Sequence, residues 1–163
     1  MKLTIELVPE TCWFKNVRSE VTKERWTELR NNCYNKAGHK CEICDSTGKK
    51  QGFNHNVECH EVWKYDDKNK IQRLEKLIAL CPLCHKVKHV GLARVNGEEK
   101  LVLKHLMKVN NMTETDAIDY ISDSFKLGVE RSKYKWKLDI SWLDNNDTIL
   151  NTLLNNHKRF RSQ

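Results

Sequence analysis

Cys41-Glu42-Ile43-Cys44 and, after residues 45–80, Cys81-Pro82-Leu83-Cys84-His85-Lys86-Val87-Lys88-His89 decide how this chain folds. Two Cys-x-x-Cys pairs suit a tetrahedral Cys₄ zinc site, because the two-residue spacer presents both thiolates of one knuckle to one ion and the second knuckle closes the tetrahedron. Thiolate ligands select zinc over magnesium or calcium. Cys41, Cys44, Cys81 and Cys84 are therefore expected to hold a structural Zn²⁺. His39 is a competing ligand just upstream, but four thiolates already fill the site.

Between the pairs, Val57-Glu58-Cys59-His60-Glu61-Val62-Trp63 begins as a half-buried strand and is interrupted by His60-Glu61. Beyond the second pair, His85 and His89 stand at i and i+4. On a helix both imidazoles project from one face and can share a metal.

A zinc knuckle, a strand carrying adjacent chemical residues, then Leu80-Cys81-x-x-Cys84-His85 resembles the HNH, or ββα-metal, nuclease family over roughly residues 38–92. The flanking Val8-Pro9-Glu10-Thr11-Cys12-Trp13 and the run from His60 to Ala93 are similar to phage and bacterial proteins labelled HNH endonuclease. The resemblance implies a metal-dependent DNA endonuclease. Its strand would supply a metal ligand followed by a general base, and the histidine after the last cysteine would complete the ion site. Registering the strand on its apolar alternation makes His60 the ligand and Glu61 the base, where the family uses histidine. Shifting by one makes Cys59 the ligand and His60 the base. Lys76 stands where the family has its central asparagine. The implied catalytic set is His60, Glu61 and His85, with His60, His85 and His89 on a divalent Mg²⁺, Mn²⁺, Ni²⁺ or Zn²⁺. Lys86, Lys88 and Arg94 would meet the phosphates of double-stranded DNA. The other reading is a zinc-stabilised nucleic-acid- or protein-binding module that keeps this scaffold without its chemistry. Glu61 and Lys76 support that reading.

Composition bounds the rest. A chain of 163 residues, 39% hydrophobic and 31% charged, is that of a soluble globular protein with a modest core, so metal binding is expected to carry much of the folding free energy. A net charge of +7 and a pI near 9.0 favour a polyanionic partner without implying sequence specificity. No apolar run is long enough to span a membrane, and the first residues lack a secretory pattern, so a reducing cytoplasm is expected. Cys12, Cys33 and Cys59 are left as small buried groups. Oligomeric state is not legible.

The expected fold class is α+β. It comprises an N-terminal strand (Lys2 to Val8) and helix (Thr22 to Ala37) in residues 1–37 and a zinc-stabilised ββα-metal core in 38–93. A helical hairpin and terminal strand follow in 94–143, then an Asn-rich mobile tail in 144–163. Lys133 to Trp142 alternates strictly and could pair with Lys2 to Val8. Its lysines between aromatics also suit a nucleic-acid face, although rings and aliphatics sharing one side favour core packing. Asp66 and Asp67 read as a polar loop, with a possible oxygen ligand to the ion. Lys49 and Lys50 could touch a phosphate backbone, and His55 is a further candidate for substrate contact.

Overall fold

The computed structural model describes residues 2–145 and confirms a mixed α+β architecture. Its centre is an antiparallel hairpin of β1 (Glu58–Asp66) and β2 (Ile71–Leu80), with His60 opposite Ile78 and a register shift between Val62 and Trp63. The connection is a turn in which the Asp66 carboxylate accepts the Lys68 and Asn69 backbone N–H groups, at 3.1 and 2.9 Å. Asp67 pairs with Arg131 at 2.7 Å. These two aspartates therefore build the turn and tie it to the last long helix, and neither joins the histidines.

Alternation along the hairpin divides two cores. One face carries Val57, Cys59 and Trp63 against α1 (Val17–Glu20) and α2 (Lys23–Lys36), where Val17, Trp26, Leu29 and Cys33 meet Leu74, Leu77 and Ala79. Thr22 caps α2 as expected, accepting from Arg25 N at 3.2 Å, and the chain reverses through Gly38 at φ 58°. The other face carries Val62, Ile78 and Leu80 against α3 (Pro82–Lys88), α4 (Val90–Val95), α5 (Glu99–Asn110) and α6 (Glu114–Ser132).

The expected helical hairpin is α5 and α6, with Asn111 at φ 54° in the turn and Thr113 capping α6. Val102, His105 and Leu106 form the buried stripe of α5, whereas Leu101 is exposed. Gly128 lies within α6. A Cβ there would lie 3.2 Å from Leu7, so glycine allows the N-terminal segment to pass against the helix.

That segment is not the expected strand. Leu3 and Ile5 are buried, but their backbone partners are side chains: Asn110 Oδ1 accepts from Leu3 N at 2.9 Å, and Tyr120 Oη accepts from Ile5 N at 3.0 Å. The alternation serves docking between helices rather than sheet pairing. The terminal strand is also shorter than expected. Only β3 (Lys137–Asp139) pairs, parallel to Ile71–Arg73, while Trp142 opens α7 (Trp142–Asn145). Of its aromatics, Trp136 is core and Tyr134 is exposed with the Lys70 ammonium 3.8 Å above its ring. The expected tail lies almost wholly outside the described residues. Among those residues, no helix is long and apolar enough to cross a membrane.

Candidate metal centres

Both knuckles meet at one end of the hairpin. Cys41 and Cys44 sit on a tight turn anchored to β2, with Glu42 N donating to Ala79 O and Ala79 N donating to Glu42 Oε1 at 2.7 Å. Cys81 precedes α3, Pro82 opens that helix, and Cys84 lies in its first turn. The four sulfurs lie within 4.8 Å of one another. Cys44 Sγ and Cys81 Sγ are 3.5 Å apart, far beyond a disulfide and near the roughly 3.8 Å edge of a zinc–thiolate tetrahedron. Two side-chain nitrogens face the sulfurs: Gln51 Nε2 donates to Cys81, and the ring Nε2 of buried His105 lies against Cys84, each at 3.2 Å. A donor so placed suits a sulfur carrying negative charge. The hydrogen bond shared by Cys41 and Cys44 brings the Cys41 thiol down to about 6 and raises that of Cys44. This cluster could hold a structural zinc, as its spacing led us to expect.

Gly48 sets the turn beyond the first knuckle. A Cβ there would lie 2.2 Å from the His55 carbonyl oxygen and 2.8 Å from the Pro82 ring, so only glycine lets the turn close on α3.

The second cluster forms where β1 passes α3. His60, His85 and His89 each offer a nitrogen within 4.8 Å of the others, and their ring centroids are 5.2, 5.0 and 4.7 Å apart. His89 stands at the junction of α3 and α4. Burial pulls His60 below its ordinary pKa, with Glu6 opposing. Burial, then the neighbouring His85 and His60, takes His89 down to about 3. Both are therefore neutral near neutral pH, with a lone pair to offer a cation.

Two carboxylates orient this cluster from outside. His60 Nε2 donates to Glu6 Oε2 at 3.0 Å, and His85 Nδ1 donates to Glu58 Oε2 in a very short bond. Nδ1 of His60 and Nε2 of His85 are left with their lone pairs and could ligate an ion. Carboxylate–histidine pairs of this kind fix the tautomer and raise the basicity of metal-binding imidazoles. Burial raises the Glu6 carboxyl, but His60 and Lys88 outweigh it and hold it below the usual range. The His85 bond likewise keeps Glu58 ionised against its burial. Three imidazoles with two oriented tautomers fit a divalent transition ion.

The structure does not bring every expected residue here. Glu61 points to the opposite face, where its carboxylate accepts the Val17 N–H at 3.0 Å and caps the start of α1. Burial raises it to about 7. Cys59 shares that face with Cys33, so the shifted register is not the one adopted. Lys88 does not face solvent or a phosphate. It is 4% exposed, and its ammonium donates to Thr4 Oγ1 at 2.7 Å and to Glu6 in a shorter bond. Lys86 is half-buried and paired with Glu98 at 2.7 Å, while Arg94 is exposed beside Glu99 at 3.8 Å.

Glu6, Glu58, Gln51 and His105 were missed. Glu6, Gln51 and His105 carry no local signal, since each meets its partner across a long stretch of chain. Glu58 alone was reachable, standing two residues before His60 on the same strand face.

No family model, curated protein or solved structure matches this chain.

Proposed function

We propose that the protein is a metal-dependent endonuclease hydrolysing phosphodiester bonds of DNA, with His60, His85 and His89 as the residues that hold its divalent ion. The observation that carries this reading is the convergence of three imidazoles from β1 and α3, two of them oriented by carboxylates, beside a zinc-knuckle scaffold. A strand hairpin followed at once by a ligand-bearing helix is also the order of elements in the nuclease family that the sequence resembles.

A cavity of about 360 Å³ opens at the cluster, lined among others by His55, Glu58, His85, Lys86 and His89. His60 is only 3% exposed, so substrate would be met by His85 and His89. A bound divalent ion would supply Lewis-acid stabilisation of the phosphate and of the leaving 3′ oxygen. Glu6 and Glu58 spend their oxygens on the outer nitrogens, leaving an all-imidazole shell. Such a shell suits Zn²⁺, Ni²⁺ or Mn²⁺ better than Mg²⁺. Lys49 and Lys50, exposed on the turn that begins at Gly48, and Arg94 are available for phosphate contact.

A plasmid-relaxation assay with each of the four ions tests the proposal. Supercoiled DNA should be cut with Ni²⁺, Mn²⁺ or Zn²⁺, and His85→Ala should be inert while retaining the knuckle zinc. Failure to cut with any ion, or full activity in His85→Ala, removes the enzyme. The second reading, a binding module, is favoured by one observation: Glu61 is turned away from the cluster. Its signature would be salt-sensitive retention of uncut DNA.

A further inference from the structure

Hydrolysis of a phosphodiester needs an acceptor for the proton of the attacking water. Few titratable groups adjoin the three imidazoles among the described residues. Glu6 lies behind His60 and is bound to that ring and to Lys88. Lys86 and Glu98 face the cavity but are paired with each other. Both Glu58 oxygens are engaged, Oε1 by His55 and Oε2 by His85. Glu61 is on the opposite face.

His55 is the group that remains. Its side chain is 48% exposed and lines the same cavity as His85 and His89. Its Nε2 donates to Glu58 Oε1 at 2.7 Å. That bond places the proton on Nε2 and leaves the lone pair on Nδ1. One carboxylate thus holds both an ion-binding imidazole and a second, solvent-accessible one. A histidine oriented by a carboxylate is the arrangement other hydrolases use to accept a proton and to stabilise the imidazolium that results.

We infer that His55, oriented by Glu58, is the general base of this site; the inference rests on the nuclease reading. A lone pair of the water oxygen forms the new O–P bond as the water's proton passes to His55 Nδ1. The P–O3′ bond breaks, its electron pair stays on the 3′ oxygen, and that oxygen takes a proton from solvent. Glu58 is a positioning residue, whereas His55 touches the reacting water.

The experiment compares zinc-loaded wild type, His55→Ala and His85→Ala by plasmid cleavage and by calorimetric titration with Ni²⁺ or Mn²⁺. His55→Ala should lose roughly two to four orders of magnitude in rate with ion affinity undiminished. Imidazole added to the buffer should restore part of its activity and none of that of His85→Ala. Nitrogen-15 NMR of the wild-type protein should show His55 as the Nε2–H tautomer, and Glu58→Ala, which removes the acceptor, should abolish that preference. An active wild type with an equally active His55→Ala overturns the inference and leaves the nuclease standing. Loss of ion affinity in His55→Ala, or absence of imidazole rescue, reduces His55 to a structural residue and likewise overturns it. A wild type that never cuts, with any ion, removes the nuclease reading and the inference with it.

Discussion

Replacing Glu61 with glutamine separates the cost of a buried carboxylate from any part in cleavage. The carboxyl is raised from its ordinary 4.5 to about 7 by burial, against the Val17 and Arg18 backbone hydrogen bonds and a side-chain bond to Trp63. In the unfolded chain it ionises near its ordinary value, so between those limits the unfolded state releases its proton first. Stability from this group is therefore complete at low pH and falls as pH rises through about 7. The difference between these two pKa values sets an upper limit of roughly 3 kcal/mol, at ~1.4 kcal/mol per pH unit. Glutamine keeps the acceptor for Val17 N and cannot ionise. Near pH 8 Glu61→Gln should be the more stable protein, melting up to about 5–10 °C higher for a chain of this size. Near pH 4 the two should melt together. Differential scanning fluorimetry of both zinc-loaded proteins across this range is the assay. Acid release of zinc affects both equally, so the difference between them is the readout. A variant less stable than wild type near pH 8 would refute the reasoning. So would a hundredfold loss of cleavage, which would return Glu61 to the role of base.

Lys88→Met should cost roughly 3–5 kcal/mol in urea unfolding, because it leaves the Glu6 carboxylate facing His60 without its buried cation. Lys86→Met, at the half-exposed pair with Glu98, should cost about 1 kcal/mol or less; equal effects would mean that Lys88 is not the buried ion the structure describes. Cys41→Ser should lose zinc and fold together, and a well-folded, zinc-free variant seen by metal analysis and circular dichroism would sink the Cys₄ assignment.

What could be read from the sequence follows the range of the interactions involved. The knuckles were legible because each is a local turn with ligands two residues apart, and α2 was legible from its Thr22 cap. His85 and His89 share a helix face, so their convergence needs only local geometry. The Lys2–Val8 alternation was truthful about burial and silent about what covers it, since the partners are Asn110 and Tyr120 rather than another strand. Lys88 looked like part of a basic patch because Glu6 lies far away in sequence. Glu61 was misplaced by following the resemblance over the strand's own period, which sends neighbours to opposite faces.

The N-terminal segment also constrains the order of assembly. Glu6 fastens His60, yet Leu3 and Ile5, which hold that segment in place, rely on Asn110 and Tyr120. A chain emerging from the ribosome can close its knuckles once Cys84 has appeared, and Lys88 then offers partners to Thr4 and Glu6, but Leu3 and Ile5 lack their side-chain acceptors until α5 and α6 follow. The imidazole cluster is thus completed by the earliest-made residues at a late moment. A truncated product ending before residue 110 would keep its knuckle cysteines, all three imidazoles and Glu6 while lacking the Asn110 and Tyr120 side chains that hold Leu3 and Ile5 in place.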